Sequence, residues 1–285
     1  MIISKLYIKN FRGYTEQTIE IHKDLNVIIG KNDVGKSTIL EALEIFFNND
    51  TIKIDILDLN KKREDQADKD ITIQVSFKIN PKTSYTIDTI PTQLSQEYLL
   101  DSEGYLTIRK VWSASGSNIT SKSLKTYIIS DYPSIKFDNP LICRKITELK
   151  KELAVFNDTH DTTAVNKSIS SVIRKAIYSF SDIQSIDLIE TIIPIDAEDG
   201  KKIYEAIKID LPLYFLFKAD RENKDSDSEV QGPLKVITKS ILSGMQEDLD
   251  NLKARVVAAT VEVGLRTIEK LSEMNPEIAS ALTPR

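Results

Sequence analysis

The stretch NVIIGKNDVGKSTILEALEIFF, residues 26–47, decides how this chain is read. The run LNVIIG, residues 25–30, is continuously apolar and ends at a glycine, a pattern that predicts a strand buried on both faces. From Lys36 the period changes. Ile39, Leu40, Leu43, Phe46 and Phe47 recur at spacings of three and four, so a helix with one apolar face is expected. Between the two lies Gly30-x-x-x-x-Gly35-Lys36-Ser37, a complete phosphate-loop pattern in its strand–loop–helix context. Gly30 and Gly35 let the backbone bend so that its N–H groups face inward, with Lys31, Asn32, Asp33 and Val34 forming the rest of the cradle. The positive end of the following helix adds to the attraction for phosphate. Lys36 is expected to reach the β- and γ-phosphates and Ser37 to hold Mg²⁺, with Thr38 bonding the α-phosphate. A glycine-rich turn without a ligand is the bland alternative, and the joint match of motif and context argues against it.

Composition limits the rest. The chain has 285 residues, 41% of them hydrophobic, which is enough for a real core in one large domain or two smaller ones. A net charge of −5 makes the whole chain a poor match for a basic nucleic-acid binder, although a local basic face remains compatible with it. One cysteine, Cys143, forms no intrachain disulfide, so a reducing cytoplasm is expected, with Cys143 as a small buried residue. Two histidines and one cysteine argue against a zinc site. No apolar run approaches the roughly 20 residues needed to cross a bilayer, so no membrane partner is expected.

Along the chain, residues 3–12 alternate with Leu6 and Ile8 on one face, and TIEIH (18–22) alternates as their pairing partner. Residues 51–70 are charged and loop-like. ITIQVSFKI (71–79), GYLTIRKVWSA (104–114) and SLKTYIISDYP (123–133) read as further strands. Two helical patterns occupy residues 140–180. A strand over SIDLIETIIPI (185–195), a short helix over AEDGKKIYEAI (197–207) and an apolar strand over PLYFLFKAD (212–220) follow. Residues 233–274 carry one long helical pattern, reaching about 60 Å at about 1.5 Å per residue, which suggests a coiled-coil or dimerisation arm. The clusters Lys61–Arg63 and Arg109-Lys110 are expected to be solvated.

Three features narrow the loop's class. KNFRGY (9–14) precedes the loop by about 20 residues, the loop itself reads GKNDVGKS, and EVQGPLK (229–235) follows an apolar strand. Together they resemble the SMC, RecF and OLD group of ABC-type ATPases, most closely the OLD-family ATP-dependent endonucleases. The resemblance is strong over residues 1–48 and weaker over 210–285. It implies an α/β fold of the ABC/SMC-like P-loop type, a mixed sheet with an antiparallel N-terminal part, a helical insertion and a long C-terminal helix. It also implies that Arg12 contacts the nucleotide, the alternative being a surface arginine at a strand end. Gln231 would complete the Mg²⁺ shell or orient the attacking water, the alternative being a solvated glutamine. The replacement of the family's second glycine by Asp33 departs from its pattern. LSGMQ (242–246) mimics an ABC signature, but it lies inside a continuous helical pattern with no strand after it.

The expected organisation is an ATPase lobe over 1–232, with the phosphate loop at 30–38, an insertion at about 81–205 and a glutamine loop at 229–232, followed by the helix of 233–285. An apolar strand ending in Asp-Glu, which would activate water, is not found in the sequence. The expectation is therefore an N-terminal half that binds ATP and hydrolyses it poorly by itself. It would be completed by a second protomer or a C-terminal half. By resemblance, DNA and a separate Toprim nuclease domain are its possible partners. An assembly module that acts through its long helix, with ATP as a structural ligand, is the competing function. A GTPase is disfavoured because NKDS (223–226) fails the base-reading N-K-x-D at its last position.

Overall fold

A computed structural model describes residues 1–216, apart from 32–34, 48–53, 64–67, 88–89, 115, 117, 121–122 and 196–197, and beyond them Val256. The chain divides into two compact units, Met1–Leu216 and Phe217–Arg285.

A six-stranded antiparallel sheet forms the frame. Its strands are β1 (Ile2–Phe11), β2 (Tyr14–Glu20), β3 (Asp70–Lys78), β6 (Leu106–Ser113), β7 (Leu124–Tyr132) and β8 (Ile189–Pro194), in the order β2-β1-β3-β6-β7-β8. A hairpin of β4 (Ser84–Ile87) and β5 (Ile90–Gln93) stands apart from it. The alternation read in the sequence is what the sheet uses. Leu6 and Ile8 of β1, Ile73 and Val75 of β3, and Ile108 of β6 all point to one buried face. Tyr7, Gln74, Arg109 and Tyr127, which pair in register across four strands, lie on the opposite face, because successive strand side chains alternate sides.

Helices cover the buried face. Helix α1 (Lys36–Phe47) packs on β3 through Ala42, Leu43, Ile45 and Phe46. Helices α2 (Ile146–Ala154) and α3 (Ser170–Phe180) pack on each other, and α4 (Glu198–Asp210) packs against β4. The first three of these helices fall within helical patterns of the sequence, and α4 runs three residues past the pattern over 197–207. The β4–β5 hairpin has no clear signature in the sequence, because Pro91 and short runs hide its alternation.

The sequence and the structure part at residues 25–30. No strand forms there, and Leu25, Val27 and Ile29 are 76%, 70% and 89% exposed. An apolar run is buried on both faces only where strands pair with it on either side, and among the described residues none does. Residues 212–216, the start of the expected strand at 212–220, likewise form no strand, and the rest lies outside the described residues. The glutamine loop at 229–232 and the long helix, apart from Val256, also lie outside them.

Lys110 is a second departure. By register it lies on the helix-covered side of β6, and it is not simply solvated. Its Nζ donates to the Phe46 carbonyl at 2.7 Å and stands 5.0 Å from the centre of the Phe46 ring. Helix α1 has no basic residue in its last turn, so a lysine from the neighbouring strand supplies the cation its C-terminal carbonyls favour. Lys61 and Lys62, by contrast, are exposed as expected. Cys143 is half-buried, with its thiol donating to the Pro194 carbonyl at 3.3 Å.

Arg174 of α3 is buried completely, with Glu97 and Asp199 beside it. It joins the segment after β5, helix α3 and the start of α4. No helix among the described residues is long and apolar enough to cross a membrane.

Candidate phosphate-binding site

The site is built where the β1–β2 hairpin meets the start of α1. Phe11 pairs with Tyr14, leaving Arg12-Gly13 as a two-residue turn. Such a turn in a right-twisted hairpin calls for positive φ, and Arg12 takes it at 48°. That setting is costly for a residue with a Cβ, and the surroundings hold it in place. The Arg12 N–H donates to the Asp58 carbonyl at 2.6 Å, and the Asn60 side-chain amide donates to the Arg12 carbonyl at 2.7 Å. The 3-10 turn Ile56–Asp58, itself capped by Asp55, thus braces the hairpin tip.

The Arg12 guanidinium turns to carboxylates. Its Nε donates to Asp58 Oδ1 at 2.8 Å, and Nη1 pairs with Glu41 of α1. Burial by itself would lower its pKa; the bonds to Asp58 and then Glu41 outweigh that and raise it, so Arg12 stays charged. Two residues on, Tyr14 reaches the phosphate loop, and its hydroxyl donates to the Gly35 carbonyl at 3.2 Å. Burial pushes that hydroxyl's pKa up, keeping it a neutral donor.

Gly35 has φ +91°, a conformation that favours glycine, and a Cβ there would meet the Tyr14 ring at 3.0 Å. Lys36 opens α1. Its Nζ reaches back across the loop to the Gly30 carbonyl at 2.8 Å and the Lys31 carbonyl at 2.5 Å. Ser37 is exposed and Thr38 is buried. The first turn of α1 holds no acidic side chain, so its positive end is unopposed. A phosphate fits this setting. It would meet the helix N-terminus and an ammonium already held at the loop's mouth by two carbonyls. The Ser37 hydroxyl is the group here suited to Mg²⁺.

The structure therefore brings together Gly30, Lys31, Gly35, Lys36, Ser37 and Thr38. Asn32, Asp33, Val34 and Gln231 lie outside the described residues. Arg12 is set beside α1 through Glu41. Tyr14, Glu41 and Asp58 join the site without being marked as its residues in the sequence. The signal for Tyr14 was its place opposite Phe11 in a two-residue hairpin; nothing local marked Glu41 or Asp58.

A family model described as an AAA ATPase domain matches residues 1–285. The DNA replication and repair protein RecF of Acetivibrio thermocellus is 46% identical over 43 residues, 15% of this chain and 12% of that protein. The DNA double-strand break repair Rad50 ATPase of Archaeoglobus fulgidus is 43% identical over 47 residues, 16% of this chain and 5% of that one. RecF of Halothermothrix orenii is 29% identical over 108 residues, 35% of this chain and 29% of that protein. Each match thus spans less than a third of the relative's length. A solved chain from work on ATP-driven dimerisation and DNA-stimulated activation of SMC ATPases aligns at a TM-score of 0.29 with 18% identity. That alignment covers 41% of this chain and 67% of the other.

Proposed function

The chain belongs to the AAA ATPase domain family, and from that premise we propose that it binds ATP with Mg²⁺ at residues 30–38 as the ATPase lobe of an SMC/RecF/Rad50-type, DNA-handling protein. Its fold is the α/β P-loop fold of the ABC/SMC type. One observation carries the reading. Gly35 turns at φ +91° into the unopposed N-terminus of α1, while Lys36 reaches across the loop to the Gly30 and Lys31 carbonyls. On ATP binding the phosphate oxygens would replace those carbonyls as partners of the ammonium, and the first N–H groups of α1 would donate to them. Mg²⁺ supplies charge neutralisation between the phosphates. Ser37 would hold it.

In its finer form the proposal is an OLD-like DNA-processing or defence protein in the cytoplasm. Two protomers would close over ATP and reopen on hydrolysis, gating DNA handling or cleavage by a separate Toprim domain. The KNFRGY, GKNDVGKS and VQG wording supports this form. Water activation in it comes from a second protomer or lobe, so the isolated chain turns ATP over slowly.

The test is calorimetric titration of Mg-ATP into the chain and its Lys36→Ala variant. Saturable binding by the chain and none by the variant is expected. Equal affinity of both would overturn the assignment. Turnover per chain that rises with protein concentration would support catalysis between protomers, and concentration-independent turnover would refute it.

A further inference from the structure

We propose that Tyr14 is a positioning residue of the phosphate loop, acting through Gly35. This rests on the reading of residues 30–38 as a nucleotide site.

Two contacts from one side chain meet at one glycine. The Tyr14 hydroxyl donates to the Gly35 carbonyl at 3.2 Å. Its ring atoms lie 3.0 to 3.3 Å from where a Gly35 Cβ would stand. The Gly35 carbonyl and the Lys36 N–H belong to one planar trans peptide unit, in which they point in opposite directions. Drawing the carbonyl towards Tyr14 therefore aims the Lys36 N–H away from it. That N–H is one of the helix-terminal donors with no partner inside α1. The ring stands over the same residue, in the space that a Gly35 Cβ would take.

Tyr14 can bear this load because it is itself fixed. It pairs with Phe11 at the hairpin end, and Arg12 beside it is tied to Glu41 on α1. The hairpin tip thus holds the end of the loop at Gly35 and the helix at Glu41. A tyrosine whose hydroxyl served only solubility would leave the Gly35 peptide free to rotate.

The experiment titrates Mg-ATP into the full chain and into Tyr14→Phe, Tyr14→Ala, Gly35→Ala, Tyr14→Ala/Gly35→Ala and Lys36→Ala. Loss of one neutral hydrogen bond in Tyr14→Phe is expected to weaken ATP binding about fivefold while the melting temperature of the nucleotide-free chain stays unchanged. Tyr14→Ala weakens it further. The loss caused by Gly35→Ala is expected to be smaller in the Tyr14→Ala background than in the wild-type chain, because the ring is one of the two things that exclude a Cβ there. Wild-type affinity in Tyr14→Phe, with the same Gly35→Ala loss in both backgrounds and no binding by Lys36→Ala, overturns the role of Tyr14 and leaves the nucleotide site standing. Wild-type affinity in Lys36→Ala removes the site and the proposal together.

Discussion

Arg174 grips both oxygens of Glu97, Nε to Oε2 at 2.8 Å and Nη2 to Oε1 at 3.1 Å, with the guanidinium wholly out of solvent. Its remaining arm pairs with Asp199, which Lys202 also reaches at 2.9 Å. Burial alone would lower the arginine's pKa; Glu97 first, then Asp199, offset this and hold it above its ordinary value. Arg174→Met would take the guanidinium from two buried carboxylates, leaving Asp199 with Lys202, and is expected to cost about 3–5 kcal/mol of stability. Arg174→Lys should recover little, because an ammonium lacks the fork that spans both Glu97 oxygens. Urea denaturation checks both, and a loss under about 1 kcal/mol would show that the trio does not hold its three elements together.

Lys110→Met tests the cap on α1. It removes the donor to the Phe46 carbonyl and the cation over the Phe46 ring. The expected loss is about 1–2 kcal/mol, since both effects act at a half-buried site. An unchanged denaturation midpoint would mean that water serves the helix end as well.

For Arg12, two roles separate cleanly. As a staple between Asp58 and Glu41 it should contribute about 1 kcal/mol to the nucleotide-free chain, a modest figure because the group is partly open to solvent. Arg12→Gln is then less stable before any ATP is added. A variant that keeps its stability and loses only ATP affinity would make Arg12 a ligand contact instead.

Acid should expose Asp187. The Gln184 backbone N–H donates to its carboxylate and Lys136 lies 3.3 Å away; together these lower its pKa against an opposing effect of burial. A carboxylate lowered in the folded state contributes stability that is complete above about pH 4 and is lost as pH falls through the lowered value. Asp187→Asn is expected to flatten that part of the stability–pH curve. Urea midpoints for both proteins from about pH 6 to pH 2 measure it, and parallel curves would refute it.

How much of this was legible beforehand varied with the reach of each interaction. The strands of the sheet and the four helices follow from local period, since Leu6 and Ile8, or Leu149 and Leu153, announce their face within a few residues. The loop at Gly30–Lys36 is legible because its backbone geometry needs glycine at fixed spacing. Lys110 was misread because its partner, Phe46, is set by register between distant strands. Asp58 and Glu41 were invisible for the same reason: each meets Arg12 only after the hairpin tip is braced against another segment. The run at 25–30 failed in the opposite way. Its composition reports a preference for burial, while burial itself depends on strands elsewhere.

That run has a practical cost. Leu25, Val27 and Ile29 leave aliphatic side chains bare to solvent outside any strand. Exposure of this kind favours association between chains at high concentration. A single lysine in place of Val27 would act as a gatekeeper against it.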